Sequence, residues 1–188
     1  MIKNVPNFSF RFNHCSFYSG TKALGEEVLA GSNECYIWRV RIPFGPVDHP
    51  KNYLSKLLRY ERLLEAVNSL SHLEEFVAAC LDCWNLRLPY GIYNLTNGGY
   101  IRTSEVTVTL QQTITPHRSF QFFEDEEEFM RVAAKAPRSS CILDNSKALA
   151  AGLRLSEVHD AITSSLHQWS QLGADTAKAV RSPAYRAA

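Results

Sequence analysis

The sequence predicts an α/β fold, and three observations carry that expectation. A helix-forming stretch from about Ser16 to Ala30 runs straight into the aromatic and β-branched stretch Cys35–Ile42. The same succession recurs as a helical run from Ser71 to about Leu86, followed by a short strand, Gly91–Thr96. A helix leading directly into a strand is half of an α/β crossover unit. Composition adds the third observation: 45% hydrophobic and 21% charged residues in a chain of 188 is globular usage, long enough to bury a sizeable core.

Taken in order, residues 1 to 16 hold Pro6, several Asn and Ser, and aromatics at Phe8, Phe10 and Phe12 without a helical period, so they read as an extended lead-in. The helix that follows is rich in Ala, Leu and Glu, and Gly31-Ser32-Asn33 supplies C-terminal chemistry. The strand after it is stopped by Pro43-Phe44-Gly45-Pro46, which opens a loop running to Pro50. Loops at the carboxyl ends of strands in α/β sheets are where ligands bind, which makes this loop a candidate rim of a site. Asn52 to Arg62 places Tyr53, Leu54, Leu57 and Leu58 against Lys51, Lys56, Arg59 and Arg62, an amphipathic helix with a basic side. A solvated face accounts for most of those charges; one or two pointing at a diphosphate is the sharper alternative.

Further on, Ser71 and Glu74 are spaced as a capping box for the next helix, which Pro89-Tyr90-Gly91 breaks before the strand ended by Asn97-Gly98-Gly99. Thr103-Ser104-Glu105 opens a helix toward Ile114, weakened by the β-branched Thr107, Val108 and Thr109. Ser119–Phe123 reads as a strand, and Glu124–Glu128 as a solvated helix start rather than a metal site. Arg138–Lys147 leads into a short helix ending at Gly152, and Ser156–Leu172 forms a terminal helix with Val158, Ile162, Leu166 and Trp169 on one face. The Ala-rich basic tail after Gly173 lacks a core pattern and reads as frayed.

One pair on the first helix carries chemistry. Tyr18 and Lys22 lie four residues apart and share a face, and an ammonium beside a phenol lowers its pKa from about 10 toward neutrality. Such a pair gives or takes a proton near pH 7, although the same spacing also arises on solvated helices. Other classes find no support. Twenty basic against nineteen acidic residues leave a net charge of +1, which argues against nucleic acid or an anionic membrane as partner. No apolar run spans a bilayer and the first residues lack a signal-peptide core, so a cytoplasmic protein is expected. The five cysteines are odd in number and scattered, and Cys80-x-x-Cys83 lies in an apolar helical run with no second pair to complete a zinc site. Buried structural thiols are the expectation, with no metal.

With these residues in hand, the chain resembles the extended short-chain dehydrogenase/reductase family, in its dTDP-4-dehydrorhamnose reductase and related sugar-nucleotide branch. The family's Tyr-x-x-x-Lys is matched by Tyr18-Ser19-Gly20-Thr21-Lys22, and its Arg-containing strand and ligand-facing loop by Trp38–Gly45. Gly91-Ile92-Tyr93-Asn94-Leu95-Thr96 resembles the later Gly-x-Tyr-x-x-Thr strand, and Leu143–Lys147 with the final helix resembles the end of the substrate domain. The resemblance extends from about residue 16 to about residue 169. It departs from the family in one respect: the nine glycines never take the spacing of a dinucleotide-binding loop, and only seventeen residues precede Tyr18.

The resemblance implies the C-terminal part of a Rossmann-type doubly wound sheet plus a small α+β substrate-binding domain. Residues 1–43 would end the nucleotide-binding domain. Residues 44–172 would be mainly the substrate domain, with helix 71–86 and strand 91–96 returning to the Rossmann sheet, and 173–188 a flexible tail. It implies an NAD(P)-dependent oxidoreductase, using NADPH or NADH to reduce a 4-keto nucleoside-diphosphate hexose in dTDP-rhamnose type biosynthesis, apart from its N-terminal cofactor-binding half. A sugar-nucleotide epimerase or dehydratase of the same fold, or a non-catalytic binding or assembly fragment, are the alternatives. Tyr18 would be the general acid and Lys22 would tune it and hold the nicotinamide ribose. Arg41, Ile42 and Pro43 would line the nicotinamide end, while Asn52 and Lys56 would face the nucleotide sugar. A homodimer and a separate N-terminal Rossmann half are the implied protein partners.

Overall fold

The structure, a computed structural model, describes residues 17–134 and 140–181, with side chains described as far as residue 173. The expected lead-in and the last seven residues of the tail lie outside the described residues.

Helix α1 (Phe17–Leu29) leads into strand β1 (Tyr36–Arg39), and helix α3 (Leu73–Asn85) into strand β6 (Gly91–Asn94). The two strands pair in parallel, with Tyr36 opposite Gly91 and Arg39 opposite Asn94. The two crossover halves read from the sequence therefore meet side by side in one sheet. A second short parallel pair joins β2 (Pro43–Phe44), just after β1, to β5 (Ser71–His72), just before α3. Between the two pairs the Ser71 hydroxyl accepts from the Arg41 amide and donates to the Leu95 carbonyl, bridging the backbone where the ladder lapses. The observed β1 is shorter than the expected 35–42 because Ile42 takes φ 41°, a left-handed conformation that no extended strand tolerates and that a β-branched residue adopts only under strain.

The remaining elements build outward from this sheet. Helix α2 (Tyr53–Arg59) follows the loop after β2. Strands β3 (Arg62–Leu63) and β4 (Val67–Asn68) then pair with β8 (Gln121–Phe122) and β7 (Ile101–Arg102), the latter pair antiparallel. Helices α4 (Thr103–Thr113), α5 (Glu126–Val132), α6 (Ser146–Ala150) and α7 (Val158–Arg181) complete the order. The expected helix from Thr103 forms despite its β-branched residues because Val106 and Leu110 are fully buried, and packing outweighs propensity.

Two hydrophobic clusters result. One joins Phe44, Leu54, Leu57, Leu70, Val106 and Leu110 to Val158, Ile162 and Leu166 of α7, with Trp169 packed at its margin, so the apolar face read from the terminal helix is the one that is buried. The other joins Ala79 and Cys83 of α3, Tyr93 of β6 and Leu95 just after it, and Ala148 and Leu153 around α6. Gly152, at φ 86°, closes α6 in a conformation glycine adopts without cost, as its place in the sequence suggested.

Two expectations are corrected. Ser71 is not a helix cap: it is buried in β5 with its hydroxyl engaged in the sheet, Glu74 is exposed, and α3 begins at Leu73 with no side-chain cap. The spacing fits a capping box, but burial of the strand claims the serine. Helix α7 also continues past Gly173 to Arg181.

Candidate functional site

Tyr18 and Lys22 stand one turn apart on α1, and the Lys22 Nζ lies 5.6 Å from the centre of the Tyr18 ring. The ammonium sits over the ring face, a cation–π arrangement. Tyr18 is 70% exposed, so the phenol is open to an incoming ligand. The Thr21 hydroxyl donates to the Tyr18 carbonyl at 2.8 Å, within the same turn.

The placement of this helix follows from two contacts. The Cys35 thiol lies 3.8 Å from the Leu29 carbonyl, and the Arg39 guanidinium grips the Glu26 carboxylate, Nε to Oε1 at 2.9 Å. The end of α1 thus meets the beginning of β1, and an earlier turn of α1 meets the end of β1, so helix and strand run antiparallel. Tyr18 precedes Glu26 by eight residues, about 12 Å at 1.5 Å per residue. The Tyr18–Lys22 turn accordingly lies beyond the carboxyl end of β1, on the side where α/β sheets bind ligands. Ala23 is the one buried residue of this helix.

The loop from the end of β1 carries the other candidates. The Arg41 Nη2 donates to Asn68 Oδ1 at 2.6 Å, and the same oxygen accepts from the Cys141 amide at 3.1 Å. Ile42 is half-buried against the larger core in its strained conformation, and Pro43 is exposed. Asn52 is buried, and its side chain is spent locally: Nδ2 donates to the carbonyls of Gly45 and Val47, each at 2.7 Å, while Oδ1 caps α2 at the Leu54 amide. Its direct effect is to shape the 43–50 loop. Asp48 and Arg59 tie the same loop to α2 at 2.7 Å. Hydrogen bonds from Ser55 and Arg59 hold the Asp48 carboxyl below its usual range. Lys56 is half-buried and makes no ion pair among the described residues.

The structure therefore brings Tyr18 and Lys22 together, binds Arg41 to Asn68, and assigns Asn52 to its own loop. Sequence reasoning missed Glu26 and Arg39, although a charged residue in an aromatic strand and a carboxylate one turn after Lys22 are both visible in the chain. It also missed the buried Asn97, which accepts from the His72 amide at 2.7 Å and donates to Glu75 at 2.9 Å and to the Ser156 carbonyl at 3.1 Å. Cys83 is fully buried, and burial raises its thiol pKa; burial pushes the Cys80 thiol up to about 11. No described helix is long and apolar enough to cross a membrane.

No family model matches the sequence. A bifunctional dTDP-4-dehydrorhamnose 3,5-epimerase/dTDP-4-dehydrorhamnose reductase of Arabidopsis thaliana is 33% identical over 146 residues, 77% of this chain and 46% of that protein. The chain thus spans about half the length of this curated relative. Among solved structures, the UDP-rhamnose synthase of Acanthamoeba polyphaga mimivirus superposes with a TM-score of 0.76 at 21% identity, over 87% of this chain and 54% of that one. The dTDP-4-dehydrorhamnose reductase of Bacillus anthracis, solved in complex with NADP, gives 0.65 at 18% identity, over 82% and 55%. The helix–strand order, the parallel β1–β6 pair and these similarities together place the chain in the extended short-chain dehydrogenase/reductase family, in its dTDP-4-dehydrorhamnose reductase and UDP-rhamnose synthase branch.

Proposed function

We propose that this chain contributes the proton-transfer site and the sugar-nucleotide end of an NAD(P)-dependent reductase acting on a 4-keto nucleoside-diphosphate hexose, as in rhamnose biosynthesis. The observation that carries the reading is the Tyr18–Lys22 turn, with the ammonium over the phenol and both beyond the carboxyl end of β1. Tyr18 delivers its proton to the 4-keto oxygen, and Lys22 stabilises the phenolate left behind. Nicotinamide, when bound, supplies the hydride.

The residues present fit one end of that cofactor. Lys22 offers an exposed ammonium with no ion-pair partner among the described residues, suited to a ribose hydroxyl, and the half-buried Ile42 and exposed Pro43 offer apolar surface near a nicotinamide. Arg41 belongs to the same rim through Asn68. No glycine-rich loop cradles the diphosphate. In this reading the adenosine half of the cofactor is held by a Rossmann half outside these 188 residues, from the same or another polypeptide. Two features support it: β1 is paired on one edge alone among the described residues, and parallel strands are normally covered and flanked on both sides. On the substrate side, Lys56, without an ion pair among the described residues, faces the nucleotide sugar, and Asn52 acts through the loop it holds. Residues 1–43 then close the nucleotide-binding domain, and 44–172 are mainly the substrate domain, with α3 and β6 returning to the sheet.

The test is reduction of a 4-keto sugar nucleotide with deuterium-labelled NADPH, by the chain joined to a glycine-rich Rossmann half of the family. Deuterium retained at C4 of the product, and a drop in turnover of about 10²-fold or more in Tyr18→Phe, are expected. Return of the label to the cofactor identifies the epimerase or dehydratase alternative. Full activity in Tyr18→Phe refutes the assignment of the proton donor.

A further inference from the structure

Glu26 is the one carboxylate within a helical turn of Lys22: positions 18, 19, 25 and 26 are Tyr, Ser, Gly and Glu. A Lys and a Glu four residues apart on a helix attract each other and pair when nothing better is offered. Here the pair is not made. The Arg39 guanidinium takes the Glu26 carboxylate with a fork of hydrogen bonds, Nε to Oε1 at 2.9 Å and to Oε2 at 3.2 Å, joined by Nη2 to Oε2. Both side chains are about four-fifths buried, at 23% and 22% exposure, whereas Lys22 is exposed. A two-pronged, partly desolvated guanidinium outcompetes a solvated ammonium for one carboxylate.

We infer that Arg39 is a positioning residue which occupies Glu26 and so leaves the Lys22 ammonium free to stand over the Tyr18 ring. Arg39 is the last residue of β1, so this release is coupled to docking of α1 on the strand. When the helix lies on the sheet, Glu26 is taken and Lys22 turns toward the phenol. When the helix lifts, Glu26 is free to draw Lys22 one turn away. The geometry stands on the coordinates alone; its catalytic meaning rests on the reductase reading above.

The experiment uses the full 188-residue chain with its lysines dimethylated by 13C-formaldehyde, which keeps their charge. The Lys22 resonance is assigned by its loss in Lys22→Arg, and its position without the ring is set by Tyr18→Leu. Arg39→Gln is expected to move the Lys22 resonance from its native position to that of Tyr18→Leu. Removing the competitor as well, in Arg39→Gln/Glu26→Gln, is expected to bring it back. An unmoved resonance in Arg39→Gln overturns the inference. So does a displaced resonance that the double variant fails to restore, because Arg39 would then merely hold the helix in place. Turnover of Tyr18→Phe tests the reductase reading separately, so the two can fail independently.

Discussion

Replacing Asn97 with alanine tests how the two cores are joined. Asn97 is 1% exposed, in the segment that follows β6, and it connects three places at once. Its Oδ1 accepts from the His72 amide at the head of α3, and its Nδ2 donates to Glu75 in the first turn of that helix and to the Ser156 carbonyl just before α7. Glu75 in turn accepts from the Ser156 amide at 2.9 Å and hydroxyl at 2.7 Å. The smaller core contains α3, and the larger one contains α7, so this polar knot spans both. Alanine removes a charge-assisted bond to Glu75 and two neutral ones, from the His72 amide and to Ser156, whose carbonyl and hydroxyl (3.3 Å) share one donor, and it leaves the buried His72 amide unsatisfied. At about 1 kcal/mol for each neutral bond and about 2 for the charged one, the loss is about 4 kcal/mol. That is a large share of the ~5–15 kcal/mol that keeps a domain folded. With a urea m-value of about 2 kcal/mol/M, the unfolding midpoint falls by about 2 M. The assay is urea denaturation followed both by far-ultraviolet circular dichroism and by tryptophan fluorescence, expected to shift together. A fall of less than about 0.5 M would show that apolar contact rather than this knot joins the cores, and would refute the reasoning.

Two chemical predictions accompany it. Arg62 pairs with Glu128 through two bonds of 2.7 Å, and this hydrogen bonding first of all holds the Glu128 carboxyl below its usual range. Since the folded-state value is the depressed one, the pair stabilises the protein above the unfolded carboxyl pKa of about 4.3 and that contribution is lost as pH falls through the folded value. Glu128→Gln should therefore lower the thermal midpoint at pH 7 and match the native chain once pH is below the folded value; equal penalties at both would contradict this sign. Cys80, with its thiol pushed up to about 11, should react with iodoacetamide on the order of a hundredfold more slowly at pH 7.5 than an unperturbed thiol with a pKa near 8.5, read by peptide mass spectrometry with free cysteine as reference. Comparable rates would place Cys80 in a wetter setting than its burial indicates.

What could be read from the chain was local. Period and punctuation located α1, α3, α4 and the start of α7 to within a few residues. The alternation of helix and strand pointed to the parallel β1–β6 pair, because these signals reside in neighbouring residues. Misreadings came where a distant residue decides. Ser71 and Glu74 have the spacing of a cap, but strands from elsewhere in the chain bury the serine between Arg41 and Leu95. The hydrogen bonds of Asn52 to the carbonyls of Gly45 and Val47 were likewise not legible from its position in the chain. The strained Ile42 carries no mark in the sequence, since β-branched residues before a proline usually read as extended.

The Tyr18–Lys22 turn shows the same division within the site itself. Its spacing is written in five consecutive residues, and the helix puts the ammonium within reach of the phenol. What turns that proximity into a site is where the turn stands, and this depends on Arg39, twenty-one residues after Tyr18, because α1 buries so little of itself. A helix that buries one residue is ordered in large part by what comes to lie against it. The exposed Phe17, Leu24 and Val28 of α1 and the edge of β1 that is unpaired among the described residues are the surfaces a cofactor-binding half would cover. Occupancy of that surface, more than any change within the turn, would then set how rigidly the proton donor is held. The pairing of phenol and ammonium is local, while the ion pair that holds the turn in register comes from Arg39, on the strand that follows the helix.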